Sequence, residues 1–359
     1  MDQLIGALYA IPVVGLLFQL GGYLVATIPA ISPFILRSAT PRALGALCGV
    51  MCERSGVVNI GIEGTMLAAA FTGWIVGVAI GPMFGPAGAG VLFGITPPLV
   101  IGLLAALGVA MLISLLHAWL SISVRADQII SGTIINIAAF GVTGYLNTLI
   151  AAGSPQSAGS FAAFKTPAEL VNLPVIGWIF DMFLSQGPIT MSVIFIVIVM
   201  QVLLFRSRWG LRTRAVGEHP KAAETVGINV IALRYRNVVI AGLLAGLGGA
   251  YLSLEGTASF QAGMTTGRGF IALAAMIVGR WTPLGAFGAA LLFASSQALG
   301  QSITFAAPSG QLGSILTAIP AQFYDVLPYV VTIVILAGVV GRSVAPAADG
   351  QPYEREATT

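Results

Sequence analysis

Charge is scarce in this chain: 8% of its 359 residues are Asp, Glu, Lys or Arg, whereas soluble domains carry roughly 25%, and 57% are hydrophobic. A water-facing surface cannot be built from so few charges. Lysine is scarcer still, with Lys165 after Phe and Lys221 after Pro as the only two. Neither can serve the phosphate loop G-x-x-x-x-G-K-[ST], whose Lys reaches the terminal phosphates while backbone amides cradle the rest. The two histidines, His117 and His219, form no H-E-x-x-H pair, and no G-x-S-x-G or dinucleotide fingerprint occurs. Hydrolysis and redox chemistry therefore have no visible home, and nothing suggests nucleic-acid binding. Cys48 and Cys52 stand four apart in an apolar helical stretch. That spacing puts both on one helix face for packing, with poor geometry for a disulfide and no further ligands for a metal.

Long apolar runs are abundant. Spanning a bilayer takes about 20 mostly apolar residues, and 95–120, 128–150, 188–205 and 237–254 are the clearest such stretches. The early run from Leu4 lacks a basic flank and a small-residue cleavage site, so it reads as a retained span. The expected fold is an all-α polytopic membrane protein of about ten membrane elements, some broken or re-entrant. Segments 6–31, 38–52, 61–80, 284–303 and 324–341 complete the spans, and 270–280 is too short to cross as a straight helix. Residues 1–342 read as a single transmembrane domain and 343–359 as a polar, disordered tail.

Seven of the sixteen basic residues fall between 206 and 236: Arg206, Arg208, Arg212, Arg214, Lys221, Arg234 and Arg236. Basic loops stay cytoplasmic. Counting outward from this loop places both termini in the cytoplasm and 151–187 outside. Within the loop, Pro220 at a helix start, good helix formers after it and Gly227 as a stop predict a short helix over Pro220–Val226. Local pattern alone leaves open whether that helix is merely solvated or is a contact.

The stretch RAVGEHPKAAETVGINV from Arg214 resembles the coupling-helix loop of ABC-importer permeases in the branched-chain amino acid, ribose and nucleoside group. The likeness extends to ERSGVVNIGIEG at Glu53–Gly64, DQIISGTIIN at Asp127–Asn136 and GRGFIALAAMIVGRW at Gly267–Trp281. The wording of the first is most similar to the nucleoside and simple-sugar branch. The resemblance implies a transport subunit without its own ATPase site, in a bacterial inner membrane. It implies partners as well: a P-loop ATPase subunit holding ATP and Mg, a second homologous permease as a heterodimer, and an extracytoplasmic substrate-binding protein. Gly217, Glu218, Ala222, Ala223 and Gly227 would be the ATPase-coupling residues. No cofactor or metal on this chain is expected.

Two glycine-rich interruptions, at 55–64 and 263–283, fit a transport pathway on physical grounds, because unpaired backbone at membrane depth is tolerated only against protein or a wet cavity. A nucleoside would want neutral donors and acceptors plus an aromatic face. Asn59, Gln128, Ser131, Thr133 and Asn136 supply candidate polar contacts, and Phe270 or Trp281 a stacking face. The same polar residues could instead glue helices together. Glu53, Arg54 and Glu63 could pair as a gate or mark a cytoplasmic helix end, while Asp127 suits a helix cap. A simple-sugar or branched-chain amino acid importer is the alternative within the class. An ion-coupled secondary transporter would need a membrane carboxylate, for which Glu63 and Asp325 are the sources this reading finds.

Overall fold

The computed structural model describes residues 12–84, 94–150, 157, 159–173, 176–308, 310–334 and 343–354. It is all-helical, with 78% of residues in helices and no strand among the described residues. The first five helices are α1 Pro12–Glu53, α2 Ile62–Phe84, α3 Pro97–Ala118, α4 Gln128–Ile150 and α5 Ala168–Val171. Next come α6 Gly177–Leu184, α7 Pro188–Arg206, α8 Arg208–Glu218, α9 Pro220–Thr225 and α10 Val230–Ala250. The last are α11 Arg268–Val278, α12 Pro283–Phe305, α13 Gln311–Ala318 and α14 Ala321–Val334. Single π-helical turns extend α3 to Ser123 and α10 to Gly256. Among the described residues, seven helices are long and apolar enough to cross a membrane: α1, α2, α3, α4, α7, α10 and α12.

Local chemistry explains most boundaries. Asp127 Oδ1 accepts from the amides of Ile129 and Ile130 at 2.8 and 2.9 Å, capping α4 as expected. Asn229 and Thr282 cap α10 and α12 in the same way, and Pro188 and Pro283 occupy first-turn positions where no N–H is needed. The loop expected over 151–187 contains the short helices α5 and α6.

The first two expected spans are one. Residues 12–53 form a continuous helix through Pro29, Pro33 and Pro41, on the order of 60 Å long, twice the hydrocarbon thickness. Proline at 33 removes the N–H that would serve the carbonyl of Pro29, and the Ser32 hydroxyl donates to that carbonyl at 2.8 Å instead. A hydroxyl beside the proline thus repairs what reads in sequence as a break.

Helix α10 is the central post, packed against α1, α2 and α3. Small residues let backbones touch: a Cβ added at Gly249 would lie 2.1 Å from the carbonyl of Met66, and one at Gly102 2.5 Å from that of Gly73. Around this post, α12 lies on α1 and α14 on α12.

The polar C-terminal stretch, expected as a disordered tail, is seated on the protein over 343–354. Ala348 and Tyr353 are buried, and the Ala348 amide donates to the carbonyl of Gly217 at 2.9 Å. Its apolar anchors and satisfied backbone outweigh the polar composition.

Candidate functional site

Three regions bear on function: the helix break between α1 and α2, a cavity, and the loop formed by α8 and α9. At the break, Gly56 turns the chain with φ +82°. The polar face of α4 and His117 of α3 hold the exposed backbone that follows. Val58 N–H donates to Gln128 Oε1 at 2.7 Å, and Val58 O lies 2.9 Å from His117 Nε2. His117 Nδ1 is 3.0 Å from Ser131 Oγ. Asn136 Nδ2 donates to Ile60 O at 3.1 Å, while its Oδ1 accepts from Gly64 N–H at 2.7 Å. The buried amide of Asn59 faces Cys52 Sγ at 3.8 Å. Gln128, Ser131 and Asn136 are therefore brought together as a belt around the break, with His117 a member that sequence reasoning passed over.

The other candidates for the pathway lie apart from that belt. Thr133 is exposed and its hydroxyl bonds the Ile129 carbonyl of its own helix. Phe270 is 49% exposed on the outside of α11. Trp281 is buried, and its Nε1 donates to Glu53 Oε2 at 2.5 Å.

Glu53, Arg54 and Glu63 do not pair with one another. They clamp the short helix α11 from its two ends. Glu63 accepts from Gly267 and Gly269 N–H at 2.7 and 2.5 Å, where the first amides of α11 lack helical partners. At the other end Arg54 donates to the carbonyls of Trp281 and Arg280 at 2.9 and 3.2 Å, beside the Glu53–Trp281 bond. Arg280 and Trp281 both take left-handed backbone angles, φ 54° and 51°, and Arg54 braces that turn.

The cavity, of about 510 Å³, lies elsewhere and is lined by none of the seven pathway candidates. Its walls carry Phe34, Arg37, Arg42, Phe161, Tyr251, Glu255, Arg268, Gln297 and Gln301, among others. That volume is in the range of about 300–1,000 Å³ usual for small-molecule sites. Glu255, a membrane carboxylate absent from the sequence reading, is consumed by the start of α7: it accepts from Ile189 N–H at 2.7 Å, Thr190 N–H at 3.1 Å and Thr190 Oγ at 2.6 Å. Arg37 donates to Gln186 Oε1 at 3.0 Å and to Ser185 O at 3.0 Å. Arg42 donates to Ser38 O at 2.9 Å and to Gln297 Oε1, and its Nε is buried with no partner among the described residues. Arg268 donates to Met264 O, Thr265 O and Thr266 Oγ1 at 2.7, 3.3 and 2.9 Å, and together with Arg37 and Arg42 it gives the walls a cationic lining of donors. The signal that could have found it is ionisable residues inside apolar spans.

In the basic loop, α9 spans Pro220–Thr225 and Gly227 follows with φ +82°, close to the predicted helix and stop. Ala222, Val226 and Gly227 are exposed. Ala223 is instead buried in a cluster with Val216, Val230, Leu233 and Tyr353, and Gly217 is buried where a Cβ would meet the Arg54 carbonyl at 2.3 Å. Glu218 accepts from the Ala347 amide at 3.1 Å.

A bundle of apolar spans that holds a polar cavity, a break between two of its helices and a partly exposed helical loop fits a membrane permease. The family described as branched-chain amino acid transport system / permease component matches residues 31–336, and this chain belongs to it. The guanosine ABC transporter permease protein NupQ of Bacillus subtilis is 42% identical over 325 residues, 90% of this chain and 96% of that protein. The nucleoside ABC transporter permease protein NupC of Lactococcus lactis is 37% identical over 327 residues, 91% of this chain and 97% of that one. A putative glucose ABC transporter permease, TsgC13 of Haloferax volcanii, is 33% identical over 339 residues, 89% of this chain and 96% of that one. No solved structure matches the chain.

Proposed function

We propose that this chain is the membrane-spanning subunit of an ATP-driven nucleoside importer in a bacterial inner membrane. The observation that carries the reading is full-length similarity to two permeases named for guanosine and nucleoside transport, higher in identity than that to the putative glucose permease. Residues 1–342 serve as the permease domain, with about ten membrane elements and both termini cytoplasmic; the basic loop at 206–236 supports that orientation. A P-loop ATPase docks on the exposed Ala222–Gly227 face, holding the ATP and Mg that this chain has no lysine loop to bind. A second homologous permease and an external binding protein complete the assembly.

Substrate passes through the cavity. A nucleoside presents base carbonyls, ring nitrogens and ribose oxygens, and guanidinium and amide N–H groups from Arg42, Arg268 and Gln297 suit such acceptors. The aromatic faces of Phe34, Phe161 and Tyr251 suit the base. Co-expression with the ATPase, second permease and binding protein, followed by uptake of labelled guanosine, cytidine and glucose, tests this. Nucleoside uptake that needs ATP and is unaffected by excess glucose is expected; uptake of glucose alone would move the chain to the sugar branch.

A further inference from the structure

The C-terminal segment 343–354 crosses from the loop of α8 and α9 to the helix break, touching both. On the loop side, the Ala348 amide donates to Gly217 O at 2.9 Å, the Ala347 amide to Glu218 Oε2 at 3.1 Å, and the Tyr353 hydroxyl bonds Glu224 Oε2. The Tyr353 ring is a core member of the cluster formed by Val216, Ala223, Val230 and Leu233, so α8, α9 and α10 close around it. On the membrane side, Arg234, buried in α10, donates to Gln351 O at 3.0 Å. A Cβ at Gly56 would meet Arg234 Nη2 at 2.5 Å and Ala348 O at 3.0 Å, and one at Gly350 would meet Val58 Cγ2 at 3.3 Å. Asp349 lies against Glu53, the residue that holds the Trp281 end of α11. Beyond α3, Arg125 Nη1 pairs with Glu354 Oε1 at 2.7 Å.

A loose surface tail would need none of this. Its contacts fall on three elements: the proposed ATPase-facing loop, the break at 54–61, and the clamp on α11. Loop and break also touch directly where Gly217 meets the Arg54 carbonyl; the tail makes a further connection, with one anchor in each.

We propose that residues 343–354 are a positioning strap that carries displacement of the α8–α9 loop to the helix break and to α11, so that ATP hydrolysis on the partner is converted into a change of access. This rests on the reading of the chain as an ATP-driven permease. The strap touches no substrate; it acts by holding Glu53, Gly56 and Val58 to Gly217, Glu218 and Ala223. Because Tyr353 is packed into the loop itself, strap and loop move as one body.

The test uses the assembled transporter in vesicles, reading uptake and ATP hydrolysis side by side. Removing 343–359 is expected to keep hydrolysis within about two-fold while uptake per ATP falls about ten-fold or more, the separation that marks a lost coupling step. Tyr353→Ala, a milder change, should lower the same ratio in the same direction, and it decides the matter if the truncated chain fails to assemble. An unchanged ratio in both variants would overturn the strap. So would uptake that rises on truncation, since that describes a latch that must release. The intact complex is the reference: if it takes up no nucleoside with ATP, the transport reading itself fails, whereas loss confined to the variants speaks for the strap.

Discussion

The belt around the α1–α2 break and the cavity are both polar regions inside an apolar bundle, yet the first is built of neutral side chains and the second of charged ones. In the belt, Gln128, Asn136 and His117 bond backbone atoms of Val58, Ile60 and Gly64 that a helix break leaves over. In the cavity, Glu255 is held by backbone amides and the guanidinium groups of Arg37, Arg42 and Arg268 share the walls. The belt is a hydrogen-bonded joint of neutral side chains, and the cavity is where cationic donors line open space.

This contrast can be broken by substitution, and the largest effect belongs to the cavity. Arg42→Ala should lower nucleoside uptake about ten- to a hundred-fold, the worth of hydrogen bonds to a charged donor, with the complex still assembled by size-exclusion chromatography. Normal uptake would remove Arg42 from the pathway. Next, Asn136→Ala should cost about 1–3 kcal/mol of stability by stranding the Gly64 amide and the Ile60 carbonyl. Thermal unfolding in detergent measures it, and lost uptake with unchanged stability would return Asn136 to the pathway.

A smaller effect concerns pH. Burial raises the Asp349 carboxyl from 3.8 to about 6, so the seated tail holds its proton more tightly than the free tail does. Seating is then strongest below the free value and weakens as pH rises through about 6. Proteolysis of the tail should be faster at pH 7.5 than at pH 5, and Asp349→Asn should flatten that difference. Gly227→Ala should cost about 1 kcal/mol through its left-handed backbone, shifting the thermal midpoint slightly. Smallest of all, Thr133→Val should change uptake less than about two-fold, since its hydroxyl only bonds its own helix.

Much of the scaffold was legible in the sequence because its signals are local. The apolar run of α4 bounded by Asp127, and the short α9 stopped at Gly227, needed no tertiary knowledge. Helix α1 misled because the repair of Pro33 depends on which hydroxyl sits beside it. The cavity was missed because the expected spans 6–31 and 38–52 left Arg37 between helices that are one, and because Glu255 closes on α7, some 65 residues away in the chain. The tail was read from average polarity, yet a single aromatic, Tyr353, finds a pocket that only α8, α9 and α10 together create.

The treatment of the carboxylates has an electrical consequence. Glu63 and Glu255 each face backbone amides, so their negative charge is answered by peptide dipoles and the arginines beside the cavity keep their positive potential. A vestibule lined in this way is a poor path for sodium, potassium or hydronium ions, which arginine repels. On the route proposed above, a neutral solute crosses while the ion gradients of the cell stay undisturbed.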